Sequence, residues 1–391
     1  MITLQQSPLD PTFVQNPYPF YESARSLGPF FHWAEYGMVC TGNAAVCHAI
    51  FRDRRFGREA PAERAPIIPD HLKPFYAVEA HSMLELEPPR HTRLRGLVLR
   101  AFTSRRITAL QPEIETLTHQ LIDGFPTGPF DLLAQFGQKL PVIIIARLLG
   151  VPENMSDDLL KWSNAMVGMY MAGRDRARED RAIAATEAFV AFMRSYVEAR
   201  RQDPRDDLIT SLIAAEEAGE KLTTDELITT CILLLNAGHE ATVHTIGNGM
   251  KTLLETGNTV TSQNAETCIE EILRFDPALH MFTRWAYEDI DVMGHTFRRG
   301  DQVALLLAAA NRDPGNWENP DLFQPNRLPK PHVSFGAGLH FCVGAPLARL
   351  ELQAALPILF QRLPKLRLVG APVYGDVYHF HGLTKLMVQA G

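Results

Sequence analysis

Residues 335–344 read FGAGLHFCVG, and the residues directly after them, 345–351, have the pattern of a helix. Gly336 and Gly338 allow the backbone to turn tightly and to approach a flat ligand closely. Pro346 suits the first turn of a helix, because the N–H it lacks would have no partner there. Cys342 therefore stands just before a helix N-terminus, whose positive dipole end favours thiolate over thiol. The stretch predicts a thiolate presented by a glycine-rich hairpin.

The hairpin resembles the haem-binding signature of the cytochrome P-450 family, F-G-x-G-x-H-x-C-x-G. Every fixed position is filled, by Phe335, Gly336, Gly338, His340, Cys342 and Gly344. The resemblance implies haem b with Cys342 as the axial ligand of its iron, and oxygen activation in which the sulfur pushes electron density toward the O–O bond. It implies that Phe335, Gly336 and Gly344 shape the cofactor-binding hairpin and that His340 donates to a haem propionate. The alternative is a structural cysteine buried in an ordinary turn.

Length and composition allow a large hydrophobic core. The chain has 391 residues, of which 46% are hydrophobic. No Ser/Gly-rich linker, low-complexity run or internal repeat divides it. We therefore predict a single domain over residues 1–391, with residues 1–16 as a flexible lead. With the resemblance, the expected fold is mainly α with a small β portion, a cytochrome P-450 fold around a buried haem.

Charge and cysteine content argue against several classes of protein. A net charge of -7 argues against nucleic acid as a partner, because a clustered basic face is the usual footprint. The five cysteines are scattered and odd in number, which is not the pattern of a disulfide framework. Residues 1–16 contain no apolar run, so neither a signal peptide nor a membrane anchor is expected. We expect a cytoplasmic monomer.

Three residues match the histidine and arginines with which the family binds haem propionates. His91 and Arg95 are four residues apart on a predicted helix, so they share a face and can converge on one anion. Arg284, in Thr-Arg-Trp, matches the family's other propionate-binding arginine. For the first pair the alternative is a solvated basic face. Further arginines on the same helix are predicted to face an acidic redox partner: Arg90, Arg93 and Arg100.

A long helix is predicted to cross the molecule. It begins at the capping box Thr223-x-x-Glu226 and ends at Gly257, about 50 Å at ~1.5 Å per residue. Its middle, residues 236–242, resembles the family's oxygen-binding stretch A-G-x-[DE]-T. The resemblance implies that Gly238 lets the helix open locally beside the iron and that Glu240 passes protons inward.

The oxygen-binding stretch departs from the family at one position. Ala241 stands where the family has a threonine, so the hydroxyl that bonds to iron-bound oxygen is missing. Thr242 points about 100° further round the helix and is not a simple substitute. Protons could pass through ordered water, a substrate hydroxyl or Thr242 on a distorted helix. A peroxide-driven mode is also open, as is a neutral variation.

Glu271 and Arg274 are three apart on a predicted helix and can form an ion pair. They match the family's E-x-x-R motif, which implies a structural pair that supports the haem-binding core. Leu322 stands where many members have an arginine, so His332 or Arg327 is expected to be the third partner.

The expected substrate pocket is apolar. Methionines adapt to irregular apolar shapes and suit the roof of such a pocket, although a methionine stripe is equally typical of plain core. The residues predicted to line the pocket are Ile68, Met166, Met169, Leu235, Leu279, Phe282 and Phe380.

The resemblance implies a monooxygenase that inserts one oxygen atom from O2 into an apolar small molecule of terpenoid, fatty acyl, aromatic or polyketide type. Electrons would come from a separate ferredoxin and an NAD(P)H-dependent reductase, because the chain has no room for a flavin or iron–sulfur domain. Two alternatives remain open. One is a peroxide-driven oxidase, and the other is a haem-binding sensor without catalysis.

Overall fold

A computed structural model describes residues 1–171, 173–217 and 220–391. Most of the chain is helical. The α-helices are α1 (Pro11–Gln15), α2 (Tyr18–Ser26), α3 (Ala44–Arg52), α4 (Lys73–Glu79), α5 (Arg90–Ala101), α6 (Ser104–Thr108), α7 (Gln111–Asp123), α8 (Lys139–Leu149), α9 (Ser156–Val167), α10 (Arg176–Gln202), α11 (Leu208–Ala214), α12 (Thr224–Thr256), α13 (Ala265–Phe275), α14 (Leu307–Ala310) and α15 (Ala345–Arg362).

The strands are short. They are β1 (Thr3–Leu4), β2 (Phe31–Trp33), β3 (Met38–Thr41), β4 (Phe56–Gly57), β5 (Phe130–Asp131), β6 (Glu216–Glu217), β7 (Glu220–Lys221), β8 (Met281–Ala286), β9 (Ile290–Val292), β10 (His295–Phe297), β11 (Gln302–Leu306), β12 (Arg367–Leu368), β13 (Val373–Tyr374), β14 (Leu383–Lys385) and β15 (Met387–Gln389). A mainly α fold with a small β portion is therefore confirmed.

The largest sheet joins distant parts of the chain, in the order β1-β2-β3-β11-β8-β4. β1 pairs with β2 in parallel, as β11 does with β3, and the other neighbours in this sheet are antiparallel. A three-stranded sheet has the order β12-β15-β5, and β13 pairs with β14. The antiparallel pairing of β8 with β11 sets residues 281–285 opposite 302–306 and so positions the strand that carries Arg284.

The central helix α12 begins and ends where its sequence predicts. The Thr223 hydroxyl accepts from the Glu226 N–H while the Glu226 side chain accepts from the Thr223 N–H, a complete capping box. At the other end Gly257 adopts the left-handed conformation, φ 68°, that terminates many helices. α12 packs against α8, α9, α10 and α13 and lies in the main hydrophobic core.

Residues 1–16 are not a flexible lead. β1 adds a strand to the large sheet, and Phe13 and Val14 of α1 are buried. The indole N–H of Trp33 donates to the Gln6 carbonyl at 2.7 Å. The prediction was wrong because aromatic burial against the sheet, and not the local composition, orders this segment.

Residues 55–86 contain four prolines and one short α-helix, α4. Pro74 lies in its first turn, where a proline is tolerated. Its buried side chains, Phe75 and Val78, join the main core. None of the helices in the described ranges is both long enough and apolar enough to cross a bilayer.

Candidate functional site

The hairpin that carries Cys342 is closed by two backbone hydrogen bonds. The Cys342 N–H donates to the Phe335 carbonyl at 3.0 Å, and the Gly336 N–H donates to the Val333 carbonyl at 2.8 Å. Gly336 and Gly338 have φ of 66° and 68°, a conformation that other residues rarely adopt. A Cβ on Gly338 would also collide with the Phe51 carbonyl. Glycine is therefore required at position 338 on two counts.

The Cys342 side chain is both accessible and desolvated. The residue is exposed, whereas the other four cysteines are buried. Nevertheless, desolvation by the surrounding protein raises the pKa of the thiol, against hydrogen bonds from the Gly344 and Ala345 N–H groups and the positive charge of Arg95. The expected preference for thiolate is outweighed in the protein alone, but a metal ion bound to the sulfur would remove the proton.

One face of α12 is accessible near its middle. Ala237 is exposed in this mostly buried helix, and Leu233, Ala241 and His244 are partly exposed. The four residues recur at the spacing of one helix face. Ala241 therefore lies on the accessible face, where a small side chain leaves room for a ligand.

The local opening expected at Gly238 is absent, because α12 is continuous from Thr224 to Thr256. Thr242 is buried, and its hydroxyl donates to the Gly238 carbonyl at 3.1 Å. This hydroxyl is thus engaged within the helix and directed away from the accessible face. Thr242 does not replace the hydroxyl that Ala241 lacks.

Glu240 lies between two histidines. Its carboxylate oxygens are 3.3 Å from His239 Nε2 and 3.4 Å from His244 Nε2. Burial by itself would raise the pKa of Glu240, but the two imidazoles outweigh it and hold the pKa at about 2. His239 is fixed in turn by the Leu235 carbonyl at 3.1 Å and the Ser163 hydroxyl at 3.5 Å. At neutral pH Glu240 is a carboxylate with imidazoles on both sides.

The residues predicted to bind propionates have the properties of an anion site. Arg284 is 3% exposed, yet among the described residues its guanidinium makes one hydrogen bond, to the Thr283 carbonyl at 2.8 Å, and no ion pair. Burial, with the nearby Arg58 charge, lowers the pKa of Arg284 to about 9. A buried guanidinium whose N–H donors lack acceptors is stabilised when it binds an anion. The set of residues present therefore fits a ligand with carboxylates.

His91 and Arg95 lie beside the cysteine hairpin. His91 is 1% exposed, and its Nδ1 has no partner in the described protein. Its ring is 4.3 Å from that of His340, and burial, with the charges of His340 and Arg95, lowers its pKa to about 4. Arg95 donates to the Phe341 carbonyl at 2.6 Å. A neutral His91 can serve as a hydrogen-bond donor, while Arg95 supplies the positive charge.

His340 has a protein partner that the sequence did not indicate. Its Nε2 is 2.8 Å from a carboxylate oxygen of Glu87. Nε2 is thus engaged with Glu87, and the contact of His340 with a propionate stays a prediction. Glu87 precedes the two prolines before α5. Because 253 residues separate it from His340 in the chain, local spacing could not predict this pairing.

The Glu271–Arg274 pair is present and fully buried. Arg274 contacts Glu271 in a bidentate way, at 2.7 and 2.8 Å, and also donates to the Asn311 and Pro320 carbonyls. Arg327 is the third partner, at 3.1 Å from Glu271. His332, the other candidate, lies instead 3.3 Å from Glu270. This network ties α13 to the segment that leads to the cysteine hairpin.

The predicted pocket residues divide into two groups. Leu279, Phe282 and Phe380 are partly exposed, and Leu279 pairs with Phe380 through a β-bridge. Ile68 is 38% exposed on an irregular segment. Leu235 is a core residue, turned about 200° from Ala237 on α12, so its assignment to the pocket was wrong. Met166 and Met169 are likewise buried in the core, the alternative that the sequence left open.

Charged and polar groups lie near the expected pocket. The Arg58 guanidinium lies over the Phe282 ring at 5.8 Å and forms an ion pair with Glu85. Tyr170 donates to Glu79 at 3.0 Å, and burial together with the Glu85 charge raises the pKa of Glu79 to about 7. Local sequence does not predict these contacts, because the spacing of single charged residues does not show which way their side chains point.

Comparison with known proteins agrees with this geometry. The family model for cytochrome P450 matches residues 264–364. The biotin biosynthesis cytochrome P450 of Bacillus subtilis is 36% identical over 398 residues, covering 99% of each chain. The polyketide biosynthesis cytochrome P450 PksS of the same species is 36% identical over 297 residues, covering 74% of this chain and 72% of that protein.

A solved structure with the same fold is that of P450BioI in complex with hexadec-9Z-enoic acid ligated acyl carrier protein. It is 34% identical, with a TM-score of 0.91, covering 97% of this chain and 100% of that one. The likeness thus extends over nearly the whole chain and confirms the expected single-domain fold. The chain belongs to the cytochrome P450 family of haem-thiolate proteins and is one of its monooxygenases.

Proposed function

We propose that this monooxygenase binds haem b through Cys342 and inserts one oxygen atom of O2 into an apolar small molecule of fatty acyl or polyketide type. The observation that carries the proposal is the Cys342 sulfur, which is accessible and yet enclosed by protein. When bound, the haem supplies oxygen activation, which no side chain can provide.

The chain's own groups would hold the cofactor at both of its ends. The glycine-rich hairpin presents the sulfur, with Phe335, Gly336 and Gly344 around it. Arg284 would receive one propionate, since its buried guanidinium has no anion of its own in the described protein. Arg95, together with the Nδ1–H of His91, would receive the other. The Glu271–Arg274–Arg327 network would keep the supporting segment in place.

The substrate class rests on the relatives and on the pocket. One solved neighbour is in complex with an acyl carrier protein to which a fatty acid is ligated, and one relative is named for polyketide biosynthesis. Leu279, Phe282 and Phe380 offer this chain an apolar wall for such a molecule. Arg58 beside Phe282 adds a polar point, which favours a substrate with at least one oxygen function over a plain hydrocarbon.

The electron donor would be a ferredoxin served by an NAD(P)H-dependent reductase. A shallow groove between α6 and α15 is lined by Ile107, Pro346 and Leu350, and Pro346 is only four residues from Cys342. Arg90 and Arg93, expected to face an acidic partner, have local carboxylate partners in Glu59 and Glu226. Any steering by these two arginines is therefore weaker than the sequence indicated. The cytoplasmic location stays a prediction.

The axial ligand is tested by the carbon monoxide difference spectrum of the reduced protein. Cys342→Ala is expected to abolish the thiolate-type band, because every other cysteine in the described chain is buried. The control is Cys40→Ala, which removes a buried sulfur on β3 and leaves the band unchanged. A thiolate-type band in Cys342→Ala would refute the assignment.

The substrate class is tested by a spin-state titration of the ferric protein with fatty acids, carrier-linked acyl chains, hydroxylated polyketides and terpenes. A saturable shift with acyl or polyketide ligands supports the proposal, and a shift with terpenes alone contradicts it. Product formed with ferredoxin and reductase identifies the electron source. Product formed only with peroxide would instead favour the peroxide-driven mode, for which Ala241 is the motive.

A further inference from the structure

Glu240 adjoins a buried row of polar side chains that the oxygen-binding stretch does not include. Its carboxylate is 3.4 Å from His244 Nε2, one turn along α12. The other side of the His244 ring lies against Gly382, so closely that any Cβ at Gly382 would collide with Nδ1. His381 precedes Gly382 in the chain. The turn between β13 and β14 therefore brings a second histidine, His381, near enough to His244 for their charges to interact.

The row continues from His381 to the protein surface. The His381 and His280 rings are 4.3 Å apart, and His280 Nδ1 is 2.8 Å from the Tyr21 hydroxyl. Tyr21 donates to the Tyr378 hydroxyl at 2.9 Å. Tyr378 lines a surface cavity together with Tyr170, Met171 and His379. Polar side chains thus lead from this cavity to Glu240, through residues far apart in sequence.

The gaps in this row are marked by polar atoms that the described protein leaves without a partner. They are His244 Nδ1, His381 Nδ1, His280 Nε2 and Asn248 Oδ1, all buried. Asn248 belongs to the same place, since its amide donates to the carbonyls of Asp276 and His381 at 3.2 and 2.8 Å. Buried polar atoms of this kind are satisfied by ordered water. Water at these positions would connect the imidazoles.

The histidines of the row are suited to passing protons. Burial lowers the pKa of His280 far below its usual range and that of His381 to about 4, where Asp276 opposes the shift and the charges of His244, Lys251 and Arg312 add to it. Neutral imidazole has one donor and one acceptor nitrogen, so it can take up a proton on one side and release one on the other. On its other side the Glu240 carboxylate faces His239, which is held by Ser163.

We propose that the row Tyr378–Tyr21–His280–His381–His244 carries protons from the surface cavity to Glu240 and so compensates for the hydroxyl missing at Ala241. Each passage moves one proton: a proton enters at Tyr378, one leaves Glu240 toward the oxygen-binding side, and no electrons move. Insertion of one oxygen atom from O2 consumes two protons, and two electrons from the redox partner, as the second atom becomes water. The inference rests on the proposed monooxygenase reaction.

The test compares His280→Phe, His381→Phe and the double variant in the haem-loaded protein. Phenylalanine keeps the ring packing and removes both nitrogens. The control is His295→Phe, a histidine packed between Phe30 and Phe297 and distant in sequence from the row. We expect each single variant to form at least threefold less product per reducing equivalent, with more peroxide and a larger solvent isotope effect. The double variant should lose no more than one single variant, because the residues act in series.

A second measurement does not depend on turnover. In the diamagnetic ferrous carbon monoxide form, the ¹⁵N resonances of His244 should shift in His381→Phe and in His280→Phe, but not in His295→Phe. If a phenylalanine variant fails to fold, the glutamine variant at the same position replaces it.

Several results would overturn the proposal. Unchanged coupling and isotope effect in both single variants would do so, as would additive losses in the double variant. Asp276, His280 and His381 also have the donor set of a divalent metal site. One metal ion per chain beyond haem iron, lost in His381→Phe, would show that the row is a metal site instead. A wild-type protein that forms no product or no thiolate-type band would refute the proposed function and not this inference alone.

Discussion

Burial affects the ionisation of single side chains in this protein as much as neighbouring charges do. The Arg284 guanidinium, the Glu240 carboxylate and the Cys342 thiol all lie in desolvated surroundings, yet their environments differ. Two imidazoles keep Glu240 ionised. In the described protein Arg284 donates only to a backbone carbonyl and has no anionic partner. Burial disfavours the ionised form of each group, and a nearby partner of opposite charge offsets that cost.

Glu351 on α15 is the opposite case. It is 1% exposed, neither carboxyl oxygen has a partner in the described protein, and burial raises its pKa well above the usual range. Below pH ~4.5 the carboxyl is protonated in both folded and unfolded chains. As the pH rises further, only the unfolded chain ionises, so the folded state loses up to about 1.4 kcal/mol of stability per pH unit.

Glu351→Gln cannot ionise and should therefore gain stability relative to the wild type as the pH rises from 5 to 8. Urea unfolding of both haem-loaded proteins over this range measures the difference. The exposed Glu22→Gln serves as the control and should follow the wild type. Parallel profiles for Glu351→Gln and the wild type would show that the buried carboxyl is ionised in the folded protein.

The bounds of the helices and hairpins depend on the residues at their ends and on close contacts with neighbouring segments. The capping box and Gly257 account for both ends of α12, and the hairpin before α15 depends on glycine at positions where the backbone is left-handed. Between these points the helix faces are selected by packing, as the buried Leu235 and the exposed Ala237 show.

Gly338→Ala should abolish stable haem binding. The substitution meets both a left-handed backbone, φ 68°, and a collision with the Phe51 carbonyl. Gly370→Ala is the matched control, because Gly370 has φ 83° and open space around it. The control should cost about 1–2 kcal/mol, the ordinary penalty of a left-handed alanine. Haem content and the urea midpoint distinguish the two, and equal losses would mean that the Phe51 contact is unimportant.

At the scale of the whole molecule, the N-terminal segment completes the large sheet. Phe13 packs against Phe20, Trp33 and Tyr378, with ring centroids 5.5, 5.8 and 5.3 Å away. Tyr378 is in turn the first member of the row that leads to Glu240, through its hydrogen bond with Tyr21. Residues from the first and the last tenth of the chain thus share one aromatic cluster.

Phe13→Ala should lower the free energy of unfolding by about 3–5 kcal/mol, because the ring is 5% exposed and leaves a cavity. Leu9→Ala, in the same segment but 56% exposed, should change it by no more than about 0.5 kcal/mol. Denaturant unfolding measures both. Equal, small effects would restore the view that residues 1–16 are a flexible lead.

The sequence by itself determined the features that depend on neighbouring residues. These are the cysteine hairpin, the caps of α12, the Glu271–Arg274 pair and the absence of a hydroxyl at Ala241. Each rests on spacings of a few residues, over which backbone geometry leaves few choices. With the resemblance they were enough to predict the fold and the position of the site.

Only the tertiary structure decided the contacts between distant segments. In the tertiary structure Arg327, and not His332, contacts Glu271, and His340 contacts Glu87. Residues 1–16 are ordered against the sheet. The tertiary structure also brought Gly382 against His244 and so aligned the buried histidines. The partner that a side chain contacts depends on the packing of segments that lie hundreds of residues apart, so local spacing does not predict it.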